Sequence, residues 1–145
     1  MPQVKIRASD AIFSKCVRES ANNICERCGA DYNGRPGLQC CHFETRRNWS
    51  VRFDPENVFS FCFGCHSLLD GSPHTFTKFY KKKRGVIMYN ALVRRMNNIM
   101  LGKKARKEEK EITKWYKMVY ETMLQIRASG GIDKIEIPPY KLSID

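Results

Sequence analysis

Two Cys-x-x-Cys pairs, Cys25/Cys28 and Cys62/Cys65, constrain this chain more than any other feature. Paired knuckles of this kind supply four thiolates, which close a tetrahedral Zn²⁺ site with no open position. Such a site is structural, and in a small domain it contributes folding free energy on the order of 10 kcal/mol. The cysteine count is seven, an odd number, which argues against a secreted disulfide framework and for a reducing, intracellular setting. Cys16 and Cys40 read as buried free thiols. The segment between the pairs is longer than the roughly 15–20 residues of a plain zinc ribbon, so it must carry structure of its own.

That segment reads as a hairpin followed by a helix. "LQCCHF" and "SVRFD" are β-prone and are joined by the polar, basic "ETRRNW". "DPEN" turns the chain, and "VFSFCFGCHSLLDG" carries the second knuckle into a short helix ending at Gly71. The expected order is β, β, α. Upstream, "SDAIFSKCVRESANN" places Phe13, Cys16, Val17 and Ser20 on one face of a helix capped at Ser9/Asp10. Downstream, Ser72 and Pro73 open a helix with Phe76, Phe79 and Tyr80 on its apolar face. Two further amphipathic helices follow, one bearing Leu92, Val93, Met96 and Met100, the other Ile112, Trp115/Tyr116, Val119, Met123 and Ile126, with their break near Gly102. The tail "GGIDKIEIPPYKLSID" is either a mobile end or a strand laid on the body.

Lys and Arg number 26 against 15 Asp and Glu, a net charge of +11 on 145 residues. This balance favours a polyanionic partner, nucleic acid before a membrane surface. No apolar run approaches the roughly 18 residues of a spanning helix, and "MPQVKIRASD" lacks the apolar core of a signal peptide. A soluble, cytoplasmic protein is expected.

The stretch "C-x-x-C … L-Q-C-C-H-F … D-P-E-N … C-x-x-C-H", from Cys25 to His66, resembles the HNH endonucleases of the His-Me finger superfamily. It is most similar to small phage-type HNH proteins, including the NinG/Rap group of recombination nucleases, which share the "RFDPEN" stretch. The resemblance implies an α+β fold: a zinc-stapled ββα-metal core with flanking N- and C-terminal helices. It divides the chain into a nuclease core over residues 1–80 and a basic helical extension over 81–145. It also implies metal-dependent hydrolysis of DNA phosphodiester bonds, nicking duplex or cutting branched substrates, and a phage or mobile-element origin.

Carried onto this chain, the family pattern makes His42 the general base, Asn57 a residue that positions the base or joins the catalytic metal shell, and His66 a ligand of that metal. Each has a plainer reading: His42 as a satisfied strand histidine, Asn57 as a turn residue, His66 as a neighbour packed beside the knuckle. Many relatives carry Asp or His immediately before the base, where this chain has Cys41. Thiolate suits Mg²⁺ poorly, so Cys41 is either a passive small residue or a ligand favouring a softer ion. The expected catalytic ion is Mg²⁺ or Mn²⁺. His74 reads as a surface residue in a first helical turn, with ligation as its alternative.

Arg46, Arg47, Arg52 and the run Lys81, Lys82, Lys83, Arg84 are expected to hold DNA phosphates, contacts that orient a duplex without reading its sequence. Phe53 reads as core, and Trp49 either packs or wedges at DNA. The C-terminal helices either close over the core or form a homodimer interface, since periodicity is the same in both cases. The contrasting reading is a non-catalytic, zinc-bound DNA-binding or packaging accessory protein.

Overall fold

The segment V-F-S-F-C alternates apolar side chains between two buried surfaces, and it forms the centre of the molecule. In the computed structural model, which describes residues 4–142, β1 (Leu38–His42) pairs antiparallel with β2 (Val58–Cys62). The register sets Leu38 opposite Cys62, Cys41 opposite Phe59 and His42 opposite Val58. Side chains alternate between faces along a strand, so Cys41, Phe59 and Phe61 point to one side and His42, Cys40 and Val58 to the other. Helix α2 (Phe63–Asp70) continues directly from β2. The β, β, α order stands, but the second strand is Val58–Cys62 and not "SVRFD".

The reason lies in how the loop is satisfied. Val51 and Phe53 are buried, but in opposite apolar clusters, and turns hold the backbone between them. Asn57, in the 3₁₀ turn Pro55–Asn57, donates from Nδ2 to the carbonyls of Glu44 and Val51 and accepts the Glu44 N–H at Oδ1. A side chain thus takes the place of ladder partners that a strand would have needed.

Helix α1 (Ala8–Ser20) buries Phe13, Cys16, Val17 and Ser20 as its spacing predicts. Its N-cap is Arg7, not Ser9 or Asp10: Asp10 sits inside the first turn and accepts the Arg7 N–H at 2.8 Å. Helix α3 (Pro73–Arg84) starts at the expected proline and buries Phe76 and Tyr80. The remainder forms α4 (Val86–Met96), α5 (Ile99–Lys107) and α6 (Glu109–Ala128), three helices where periodicity suggested two. The first break falls at Asn98, whose side chain accepts the Met100 N–H. Gly102 is inside α5, where a Cβ would lie 3.1 Å from Ser50 Oγ, so glycine permits helix-to-loop contact.

Two apolar clusters flank the hairpin. One joins Cys41, Phe59 and Phe61 to Leu69, Phe76, Tyr80 and Leu92 of the helices after it. The other joins Val58 and Phe53 to Phe13 and Val17 of α1 and to Ile112, Tyr116 and Met123 of α6. The N- and C-terminal helices therefore share one core, and the 80/81 boundary falls inside α3. Over its described residues the tail lies along this body without joining a sheet: Trp115 Nε1 donates to the Pro138 carbonyl at 2.9 Å and Ile135 N–H to that of Ser20 at 3.0 Å. No helix among the described residues is long and apolar enough to cross a membrane.

A buried ion pair ties the loop to α1. Arg52, 2% exposed, places Nε 2.9 Å from Asp10 Oδ1 and Nη2 2.6 Å from Oδ2, a bidentate pair. Burial opposes the Asp10 carboxylate, but the Arg52 guanidinium and the Arg7 N–H outweigh it and hold its pKa below the usual value. The stabilisation is therefore present above about pH 4, the unfolded carboxylate range, and is lost as pH falls through the depressed folded value. Arg52→Met leaves a buried carboxylate without its cation, and urea unfolding is expected to show a loss of about 3–5 kcal/mol. The same variant should lose the acid-side fall in stability that Asp10 contributes.

Candidate metal centres

The first centre is assembled from two turns far apart in sequence. Cys25 and Cys28 lie after α1 in a turn closed by Gly29 N–H donating to the Cys25 carbonyl, with Gly29 at φ 79° in the left-handed region that favours glycine. Cys62 ends β2 and caps α2, and Cys65 is on the first turn of that helix. All four sulfurs lie within 4.8 Å of one another, with Cys28 Sγ 3.9 Å from Cys62 Sγ. A tetrahedron with Zn–S bonds of about 2.3 Å has an edge of about 3.8 Å, so the donor set fits zinc.

The electrostatics agree with that fit. Burial opposes the Cys25 thiolate, but N–H groups of Cys28, Cys62 and Arg27 outweigh it and lower the pKa to about 7. Burial raises the Cys65 thiol to about 12, against the pull of Arg27 and reinforced by the other three sulfurs. Four thiolates this close repel, and a divalent cation removes the conflict.

A second cluster stands on the neighbouring turn of α2. Cys41, His66 and Asp70 offer ligand atoms that all lie within 4.8 Å of one another. Cys41 reaches in from β1, fully buried, while His66 and Asp70 are one helical turn apart with Nε2 3.7 Å from Oδ2. His66 Nδ1 donates to Gln39 Oε1 at 2.5 Å, which orients the ring and leaves Nε2 as the nitrogen that faces Asp70. Burial raises the Cys41 thiol above its ordinary range, and the Asp70 charge adds to the effect. The sequence reading found His66 and Cys41 but missed Asp70 and Gln39; the i, i+4 spacing of His66 and Asp70 was the available signal.

His42 is not part of this cluster. It faces the α1 side of the hairpin, its ring 6.4 Å from that of Phe13, and its Nε2 donates to the Arg52 carbonyl at 3.0 Å. Burial lowers its pKa to about 4, so the ring is neutral at pH 7 with its lone pair on Nδ1. Asn57 is fully buried and commits both ends of its amide to the backbone of Glu44 and Val51, as a turn residue does, which leaves no amide oxygen for the expected catalytic metal shell. His74 is exposed in the first turn of α3.

The basic residues divide into two groups. Arg52 is consumed by Asp10, and Arg84 donates to the carbonyls of Pro55, Glu56 and Val58 while its guanidinium lies 3.7 Å from the Phe59 ring centre. Both are internal braces, which corrects their assignment to phosphate binding. Lys81, Lys82 and Lys83 are exposed along α3, with Lys81 Nζ 4.6 Å from the Tyr89 ring centre. Arg47 is exposed, and half-buried Arg46 donates to the Val4 carbonyl. Trp49 packs beneath cations, 4.5 Å from Arg52 and 4.9 Å from Arg106, and Phe53 is core.

The chain matches no family model, no curated protein and no solved structure. For the four-cysteine centre, Cys62→Ser is expected to lose bound zinc and much of the helical circular dichroism signal, because Cys62 both offers one of the four sulfurs and caps α2. Unchanged zinc content and an unchanged melt would refute the structural role.

Proposed function

We propose that the protein is a metal-dependent DNA endonuclease of the HNH type, with the hairpin and α2 as its ββα unit. The observation that carries this reading is the three-donor cluster of Cys41, His66 and Asp70 beside a four-cysteine staple on the same strand-to-helix corner. The net charge of +11 and the exposed Lys81–Lys83 run suit a phosphate backbone.

When bound, a divalent ion supplies positive charge to the phosphate and acidifies a water molecule. The chain's own residues do the rest. Cys41, His66 and Asp70 would hold the ion, and Gln39 orients the His66 ring. His42 is neutral at pH 7 and keeps a lone pair on Nδ1 that can take a proton, although burial makes it a weaker base than a free imidazole. Asn57 holds the loop whose Arg52 carbonyl fixes the His42 ring. Arg47 and the α3 lysines supply charge for neighbouring phosphates, and one such unit cuts one strand at a time.

A second reading is favoured by the placement of His42, which sits on the opposite face of β1 from Cys41 and is hydrogen-bonded into the loop. In that reading the protein is a zinc-bound DNA-binding accessory without catalysis. Supercoiled plasmid incubated with the protein and a divalent ion separates the two. The nuclease reading expects nicked circles, with the rate reduced at least about 100-fold in His42→Ala and in His66→Ala. Retarded but uncut DNA from a folded, zinc-loaded protein would establish the accessory role.

A further inference from the structure

Taking the three-donor site of the nuclease reading as its starting point, we infer that Cys41, His66 and Asp70 form a second zinc-class site with an open coordination position, selecting a thiophilic ion over Mg²⁺. The donors are one sulfur, one imidazole nitrogen and one carboxylate. Magnesium demands near-octahedral oxygen coordination and keeps several waters, whereas sulfur and imidazole donors favour zinc and its transition-metal neighbours.

The setting sharpens the preference. Cys41 is 0% exposed, so on that side an ion meets sulfur and apolar packing where Mg²⁺ would need water. The single oxygen donor, Asp70, has a side chain 61% exposed, too little on its own to hold a hard ion. His66 Nε2 and Asp70 Oδ2 stand 3.7 Å apart, close to the edge of about 3.4 Å for a tetrahedron with bonds of about 2.0–2.2 Å. Gln39 supplies the outer-shell acceptor that a ligating histidine needs. Three protein donors leave a fourth position open, in contrast to the four-cysteine centre, which is closed.

The two centres also differ in kind of dependence. The four-cysteine cluster joins segments far apart in the chain, and its loss disrupts the fold. The second cluster lies on one strand and one helix already held in place, so emptying it leaves the fold intact.

The test is the metal content of the purified full chain after equilibration with trace zinc, read by mass spectrometry and by cobalt absorption. Two zinc ions per chain are expected in the wild type. Asp70→Asn, at an exposed position that cannot compromise folding, should weaken the second zinc at least about 10-fold without touching the first. Cobalt added to protein whose four-cysteine centre already holds zinc should give a thiolate-to-cobalt charge-transfer band, absent in Cys41→Ser, and excess Mg²⁺ should not abolish it. One zinc per chain with no cobalt band, or displacement by Mg²⁺ at comparable concentration, would overturn the inference. Plasmid cleavage is scored separately: two zinc ions without cleavage support the inference and remove the nuclease reading, whereas Mg²⁺-driven cleavage by a one-zinc protein does the reverse.

Discussion

Four sulfurs drawn within 4.8 Å of one another are the constraint on which this structure turns. Left as thiolates they repel, and left as thiols they leave a thin seam between the turn after α1 and the strand-to-helix corner. A cation converts the seam into a bond network spanning Cys25 to Cys65. Helix α2 is only eight residues long, too short to be stable by itself, and two of the four sulfurs anchor its beginning. Everything that α2 presents, including His66 and Asp70, inherits its position from that anchor.

Around the anchor the protein uses three arginines for internal bracing. Arg52 holds Asp10, Arg84 holds three loop carbonyls, and Arg95 reaches both Asp54 and Glu56. Together with Asn57 and the Tyr80 hydroxyl on the Glu56 carbonyl, these bonds fix a loop that has no strand partners. The cost of burying guanidinium groups is met by bidentate pairing and by stacking on Trp49 and Phe59. The cations left for a polyanion are thus fewer than the count of 26 suggests, but the acids paired with them leave too, so the net excess at the surface is almost unchanged.

The features legible in the sequence were those whose chemistry is local. The cysteine pairs declare themselves because a knuckle needs its ligands three residues apart, and the buried face of α1 follows from helical spacing at Phe13, Cys16, Val17 and Ser20. What escaped depends on distant partners. Arg52 reads as a surface cation until Asp10, 42 positions away, is seen beside it. "SVRFD" has the alternation of a strand, but its two apolar residues serve opposite clusters and Asn57 answers the loop's backbone groups. Gly102 looks like a helix stop, yet it is a point of close approach to Ser50. Asp70 was within reach, four residues after His66 on a segment already read as helical.

The pairing of Leu38 with Cys62 has one more consequence. In a two-stranded ribbon with both faces buried, sliding β1 by one residue would exchange Cys41 with a neighbour of opposite orientation and turn Gln39 away from His66. A metal held by Cys62 and Cys65 would fix the end of β2 and the start of α2, and the register of β1 against that fixed strand sets which side chains of "QCCH" meet α2 and which meet α1. Insertions in the long loop between the strands leave that choice untouched, whereas a single-residue deletion within β1 would invert it.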